Sequence, residues 1–288
     1  MKKIALSDID FGEEETNEVI KVLKSKWLSM SEVTQEFEKK FAKLLGVKHA
    51  IAVVNGTAAL HLANHSFGVK AGDEVIVPSL TFVATSNSVI YTGAKPVFAD
   101  VESNDNFNIS PESIKGKISS KTKGIIAVHY GGYSCDMKNI MDIARKHNLF
   151  VIEDAAHAPG AKLDGKMLGT IGDIGCFSFF SNKNLVTGEG GMIVTNNDKI
   201  AEEIKRKRSH GMTSLSWDTH KGHAFSYDVT TLGYNYRTGN INSALGLRQL
   251  KKLKNNNNIR KELADLYRKC LGKVDFLDIP FKKYNGSS

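Results

Sequence analysis

Residues 74–101 read EVIVPSLTFVATSNSVIYTGAKPVFADV. A short apolar run, EVIVP, leads into a longer helical stretch, TFVATSNSVIYTG, and a second apolar run, KPVFADV, follows. Short runs rich in β-branched residues on either side of a helix-length segment predict a strand–helix–strand unit. The unit recurs on both sides. Upstream, HAIAVV (49–54) is a strand, NGT a turn and AALHLANHSF a helix. Downstream, TKGIIAVHY (122–130) is a strand, MKNIMDIARKHN a helix and LFVIED (149–154) a strand, with GCFSFF and GGMIVTN as two more strands. Such alternation predicts an α/β fold, a mostly parallel sheet with helices on both faces.

Two amphipathic helices are expected ahead of this pattern, at 13–24 and at 33–45, the second stopped by Gly46. After about residue 199 polar and basic residues dominate as far as LGYNYR (232–237), and a long helical pattern then covers 240–271. Its asparagine run, 255–258, reads either as a kink or as solvated helix surface. VDFLDIP (274–280) reads as the beginning of another strand.

Of the 288 residues, 41% are hydrophobic and 24% charged, an ordinary globular balance. The formal net charge of +8 suits an anionic ligand such as a phosphate or nucleotide. The basic run Lys205-Arg206-Lys207-Arg208 reads as a solvated helix face. It lacks aromatic interleaving, and the chain has no zinc-finger or helix-turn-helix pattern, so no nucleic-acid partner is expected. Cys135, Cys176 and Cys270 are far apart, with no CxxC, so neither a disulfide framework nor a metal site is expected. That usage fits a reducing, cytoplasmic setting. MKKIALSDIDFGEEE turns acidic before any apolar core forms, unlike a signal peptide. No apolar run reaches membrane-spanning length.

In a sheet of this kind ligands bind beyond the carboxyl ends of the strands. Asn55-Gly56-Thr57, His129, Asp154 and the loop around Lys183 all fall there. NGTAAL (55–60) is compatible with a phosphate cradle of backbone N–H groups, and equally with an ordinary turn. Asp154 ends a buried strand, where an unpaired charge is costly; helix capping is one use, pairing with a cationic ring nitrogen another. His157 follows three residues later and reads as structural or as a contact to the same ligand. Lys183, in FSFFSNKNLVTGEGG (177–191), is either a solvated loop residue or a desolvated, nucleophilic amine. Gly188, Gly190 and Gly191 would let the backbone pass close to a ligand, and Ser178 would add a phosphate contact. Acid, lysine and phosphate cradle together are the set that pyridoxal 5'-phosphate requires.

The joined motifs are more specific. FEKKFAKLLGVKHAIAVVNGTAALHLA, GDEVIVPSLTFVATSNSVIYTGAKPVFADV, VHYGGYSCDM, VIEDAAHAPGA, FSFFSNKNLVTGEGGMIVTN and LGYNYR occur in this order and cover most of the chain. In these the chain resembles the DegT/DnrJ/EryC1/StrS family, fold-type-I, pyridoxal-phosphate-dependent aminotransferases acting mainly on nucleotide-linked keto-sugars. The resemblance implies that Lys183 forms the Schiff base and that Asp154 pairs with the pyridine nitrogen. It implies that Phe82 stacks on the coenzyme and that Gly56, Thr57, Ala58 and Ser178 surround the phosphate. His157 falls where the family often has glutamine, near the ring hydroxyl. Asn235 matches an asparagine that reaches the phosphate of a neighbouring subunit, which implies a homodimer with shared sites.

Glutamate or glutamine is the implied amino donor, and an amino-sugar for surface polysaccharide or secondary metabolites the implied product. KWLSMSEV (26–33) lacks the Gly-Pro common after WL in the family. Relatives typically run to about 370 residues or more. The expected division is therefore a large coenzyme-binding α/β domain over 1–240, with a linking helix and the start of an incomplete small C-terminal domain over 241–288. Two other readings are open at this point: a coenzyme-binding regulatory or catalytically impaired relative, and a nucleotide-binding domain using NGT as its phosphate loop. The latter lacks GxGxxG and GxxxxGK[ST] motifs.

Overall fold

The computed structural model describes residues 7–213 and 226–282. Helices α1 (Glu13–Ser25) and α2 (Glu32–Leu45) come first, and Gly46 closes α2 with a left-handed backbone (φ 71°). Strand β1 (His49–Val53), α3 (Gly56–Ser66), β2 (Glu74–Pro78), α4 (Ala84–Ile90) and β3 (Lys95–Ala99) follow. A small hairpin, β4 (Val101–Ser103) with β5 (Asn106–Ile109), precedes α5 (Pro111–Lys117) and β6 (Thr122–Val128). Then come α6 (Met137–His147), β7 (Phe150–Asp154), a second small hairpin of β8 (Lys162–Leu163) and β9 (Lys166–Met167), β10 (Ile174–Ser178) and β11 (Gly191–Thr195). Helices α7 (Asp198–Arg208) and α8 (Asn240–Leu271) complete the described elements.

Seven strands form one sheet in the order β1-β11-β10-β7-β6-β2-β3. β11 runs antiparallel to both neighbours, and the other pairings are parallel. The expected α/β sheet, mostly parallel and covered by helices, is therefore present. Strand periodicity sorts its side chains into two layers. Ile51, Val53, Val75, Val77, Ile126 and Ile152 pack with α3 residues Leu60 and Leu62 and with Ile204 of α7. The other face splits into two clusters, one built on Phe37, Phe41, Phe177 and Phe179, the other on Ile76, Ile125, Val151 and Ile140 of α6. Phe41 packs edge-on against Phe177 and Phe179 at 5.1 and 5.5 Å. Strands buried on both sides must be apolar throughout, which is why they stand out as continuous runs.

Register places the site. Asp154 lies opposite both Val128 and Cys176, and Gly191 lies opposite both Val53 and Ser178. The carboxyl ends of β1, β6, β7 and β10 thus finish near one level, where β11 begins.

Three local expectations fail. VDFLDIP forms no strand: Leu277 N–H bonds to Val274 O, and Phe281 stacks on Tyr133 at 4.1 Å. Phe276 is 92% exposed and Leu277 is also exposed, so the segment has no buried face for a ladder to cover. The asparagine run neither interrupts α8 nor is merely solvated. Asn256 donates to Asp10, and Asn257 bonds to Asn184 and Pro159. The basic run is only partly a solvated face, since Lys207 and Arg208 are buried. Lys207 meets Glu203 and His65, and Arg208 reaches Glu38 at 2.6 Å and Ala52 O at 2.7 Å. Helix α7 packs against α3 and β1, so half of each turn faces inward, and buried cations there need partners. The short hairpins and α5 lay outside the strand–helix pattern, because strands of two to four residues and a helix of seven carry too little periodicity to be read.

Candidate active site

The first component is built at the junction of β1 and α3. Asn55 caps α3, its side chain accepting from Ala58 N–H at 2.8 Å. Gly56 and Thr57, in the first turn, have N–H groups with no intrahelical acceptor. The helix dipole adds partial positive charge there. A Cβ on Gly56 would lie 2.9 Å from the Ser178 Cβ and 3.3 Å from its Oγ. Any side chain at 56 would therefore fill the cradle that Ser178 borders. Gly191 is equally constrained, since its Cβ would meet Asn55 O at 2.5 Å. Thr57 is half-buried and Ala58 buried. Small residues, free donors and one hydroxyl thus meet where a phosphate would be held.

The second component is the carboxylate ending β7. Asp154 is 7% exposed. Its Oδ2 accepts from Thr85 Oγ1 at 3.1 Å and its Oδ1 from Ala156 N–H at 3.2 Å. Burial pushes its pKa up, opposed by those two hydrogen bonds and by the charge of Lys183. Thr85 itself bonds to Thr81 at 2.8 Å.

The third component is Lys183, half-buried in the 179–190 loop. Lys183 N–H bonds to Phe180 O, Phe179 N–H to Gly190 O and Thr187 N–H to Phe179 O, each at 2.9 Å. Gly188 turns this loop at φ 83°. Burial lowers the Lys183 pKa, and Asp154 partly restores it. The amine is thereby nearer its nucleophilic, neutral form than a surface lysine is.

His157 faces the same pocket electrostatically: burial, then the Lys183 charge, lowers its pKa to about 4. Its Nδ1 accepts from Gly131 N–H at 3.3 Å, so the neutral ring carries its proton on Nε2. Lys183 is therefore coupled to both Asp154 and His157, and Gly56 lies against Ser178. Phe82 stands 74% exposed just before α4. Asn235 is exposed and forms an isolated bridge with Ser209, while the neighbouring Tyr236 O accepts from Val54 N–H beside the cradle. Phe82 is tied to the site through its carbonyl, which accepts from Thr85 N–H at 3.1 Å. His129, expected among the strand-end candidates, is fully buried on Glu153 at 2.8 Å and belongs to the framework. Thr85 was missed; its only sequence signal is the Thr81–Thr85 spacing of one helical turn.

The donors fit pyridoxal phosphate: a cradle that a Cβ would fill, a buried acid and a desolvated amine. The comparisons with known proteins agree. A family model for the DegT/DnrJ/EryC1/StrS aminotransferases matches residues 10–286. The spore coat polysaccharide biosynthesis protein SpsC of Bacillus subtilis is 43% identical over 276 residues, which are 96% of this chain and 71% of that protein. The GDP-perosamine synthase of Escherichia coli O157:H7 is 43% identical over 275 residues, 95% of this chain and 73% of that one. The Helicobacter pylori aminotransferase PseC, involved in the biosynthesis of pseudoaminic acid, superposes with a TM-score of 0.92 at 33% identity. That match covers all of this chain and 76% of the other.

Proposed function

This chain belongs to the DegT/DnrJ/EryC1/StrS aminotransferase family, and we propose that it transfers an amino group from glutamate or glutamine to a nucleotide-linked keto-sugar. The observation that carries the reading is the coupling of a desolvated amine, Lys183, to a buried carboxylate, Asp154, beside a glycine-walled helix N-terminus. Pyridoxal 5'-phosphate, when bound, supplies an aldehyde carbon and a ring that accepts an electron pair. Gly56 and Thr57 would bind its phosphate through backbone N–H groups and Ser178 through its hydroxyl, while Ala58, its own N–H held by Asn55, would leave room for the phosphate as a small wall residue. Asp154 would hold a proton on the ring nitrogen, the role for which a carboxylate raised by burial and short of donors is suited. His157 would present Nε2–H to the ring hydroxyl, and Phe82 its face to the ring.

Lys183 would have two tasks. Its amine would hold the coenzyme at its aldehyde carbon, and its Nζ would take the proton from the donor's α-carbon, a service worth about 10²–10⁴-fold. Asn235, exposed on its segment, would complete the phosphate site of a second copy, making the active unit a homodimer. Residues 1–240 would carry the site and 241–288 the link to a small domain. No described helix is long and apolar enough to cross a membrane, and a cytoplasmic enzyme making sugars for surface polysaccharide or secondary metabolites is the setting we favour.

Borohydride reduction of the coenzyme-loaded protein followed by peptide mass mapping tests the reading. The coenzyme is expected on Lys183 alone, and attachment at another lysine overturns the assignment.

A further inference from the structure

We propose that Asn257 of α8 is a positioning residue that clamps together the two loops carrying Lys183 and His157. The amide makes two directed bonds to segments far apart in sequence. Its Nδ2 donates to Pro159 O at 2.9 Å, and its Oδ1 accepts from Asn184 Nδ2 at 3.1 Å. Asn184 directly follows Lys183, and Pro159 lies two residues after His157. Donor and acceptor ends of one planar amide are both engaged, so only an asparagine orientation matching both loops satisfies the site.

The local backbone is shaped around this amide. Gly160 takes φ 85°, and a Cβ there would lie 3.1 Å from Asn257 Nδ2. Leu253, one turn earlier on α8, is buried in the phenylalanine cluster and anchors this face of the helix. A second asparagine of α8 holds the far limb of the same loop: Asn242 Nδ2 donates to Thr187 O and Glu189 O, both at 2.9 Å. The 181–189 loop is therefore tied to α8 at both limbs, and Asn257 extends the hydrogen-bonded tie to the His157 turn. Loops take their position from rigid elements, and a small misplacement of a reacting group is costly in rate.

This inference rests on the reading that Lys183 and His157 face the coenzyme. The test compares Asn257→Leu with Asn255→Leu, an exposed neighbour in the same run. In the full chain without coenzyme, Asn257→Leu is expected to raise amide hydrogen exchange about tenfold in both 156–161 and 181–189. Asn255→Leu leaves both unchanged. Asn257→Asp keeps an acceptor for Asn184 and loses the donor to Pro159, so exchange rises in 156–161 alone. In the loaded protein, Asn257→Leu is expected to shift the pH midpoint of the coenzyme's visible absorbance. Turnover should fall about tenfold while KM for the amino donor stays within about twofold. Equal exchange in the Asn257→Leu and Asn255→Leu proteins overturns the clamp. Faster exchange with an unshifted absorbance titration overturns the positioning role. Borohydride labelling away from Lys183 in the parent protein overturns the functional reading instead, and the exchange experiment still decides the clamp.

Discussion

Glu153 and Asp154 are adjacent on β7 and both buried, at 0% and 7% exposure, yet they meet different surroundings. Successive strand residues face opposite sides of the sheet. Glu153 accepts from four donors. Ile171 and Gly172 N–H lie 2.6 Å from Oε1, and Gly169 N–H and His129 Nε2 lie 2.8 Å from Oε2. His129 Nδ1 in turn accepts from Cys135 N–H at 3.2 Å. Asp154 has two longer bonds, from Thr85 and Ala156, and a pKa raised by burial. One carboxylate is saturated by the framework and stitches the 169–172 loop to the sheet. The other keeps acceptor capacity and feels the charge of Lys183. Saturation, where burial does not discriminate, is what distinguishes the architectural acid from the one we propose for chemistry.

The contrast is testable from both directions. Asp154→Ala should lower turnover on the order of 10²–10³-fold while the urea midpoint of the ligand-free protein stays level or rises. An underpartnered buried acid contributes to chemistry rather than to folding. Retention of near-full turnover would break the comparison on the chemical side. Glu153→Gln should show the opposite split. It leaves buried N–H groups facing an amide that cannot accept from all of them, at a cost of about 3 kcal/mol. Equilibrium unfolding measures that loss, and coenzyme absorbance in the surviving folded protein should stay near that of the parent. An unchanged unfolding curve would mean that the four donors are not what holds the loop.

The smallest effect is a pH dependence. His157 is held from the ordinary 6.5 down to about 4, so the unfolded chain binds its proton first as pH falls. The stability tied to the neutral ring is complete above about pH 6.5 and is lost as pH drops toward 4. The loss is at most about 3 kcal/mol, and nearer 2 for a half-buried ring. His157→Gln should flatten the stability–pH curve in that window. Some slope will persist from His61, which burial and His65 also lower to about 4. A variant with the parent's slope would place the titration elsewhere.

Much of this was legible in the chain. Sheet strands buried on both faces show as unbroken apolar runs, and Gly56, Ser178, Asp154 and Lys183 show as chemically distinctive residues at the ends of those runs. Thr85, the donors to Glu153 and the Asn257 clamp did not show. Thr85 meets Asp154 across 69 positions, and Asn257 meets Asn184 and Pro159 across 73 and 98. A threonine or an asparagine looks the same in sequence whether it faces water or a carbonyl. The buried half of α7 escaped for the same reason, because Lys207 and Arg208 read as solvent charges until His65, Glu203 and Glu38 are seen beside them.

Sequence alone determined the class of fold, which rests on local periodicity, and the kind of chemistry, which residue types at strand ends left open and the ordered motifs, by their resemblance to a known family, pointed to. Tertiary structure alone decided which of two neighbouring acids is saturated and which loops share one amide. Those outcomes depend on donors arriving from distant segments, and a hydrogen bond acts only over a contact distance that the linear order of residues does not record.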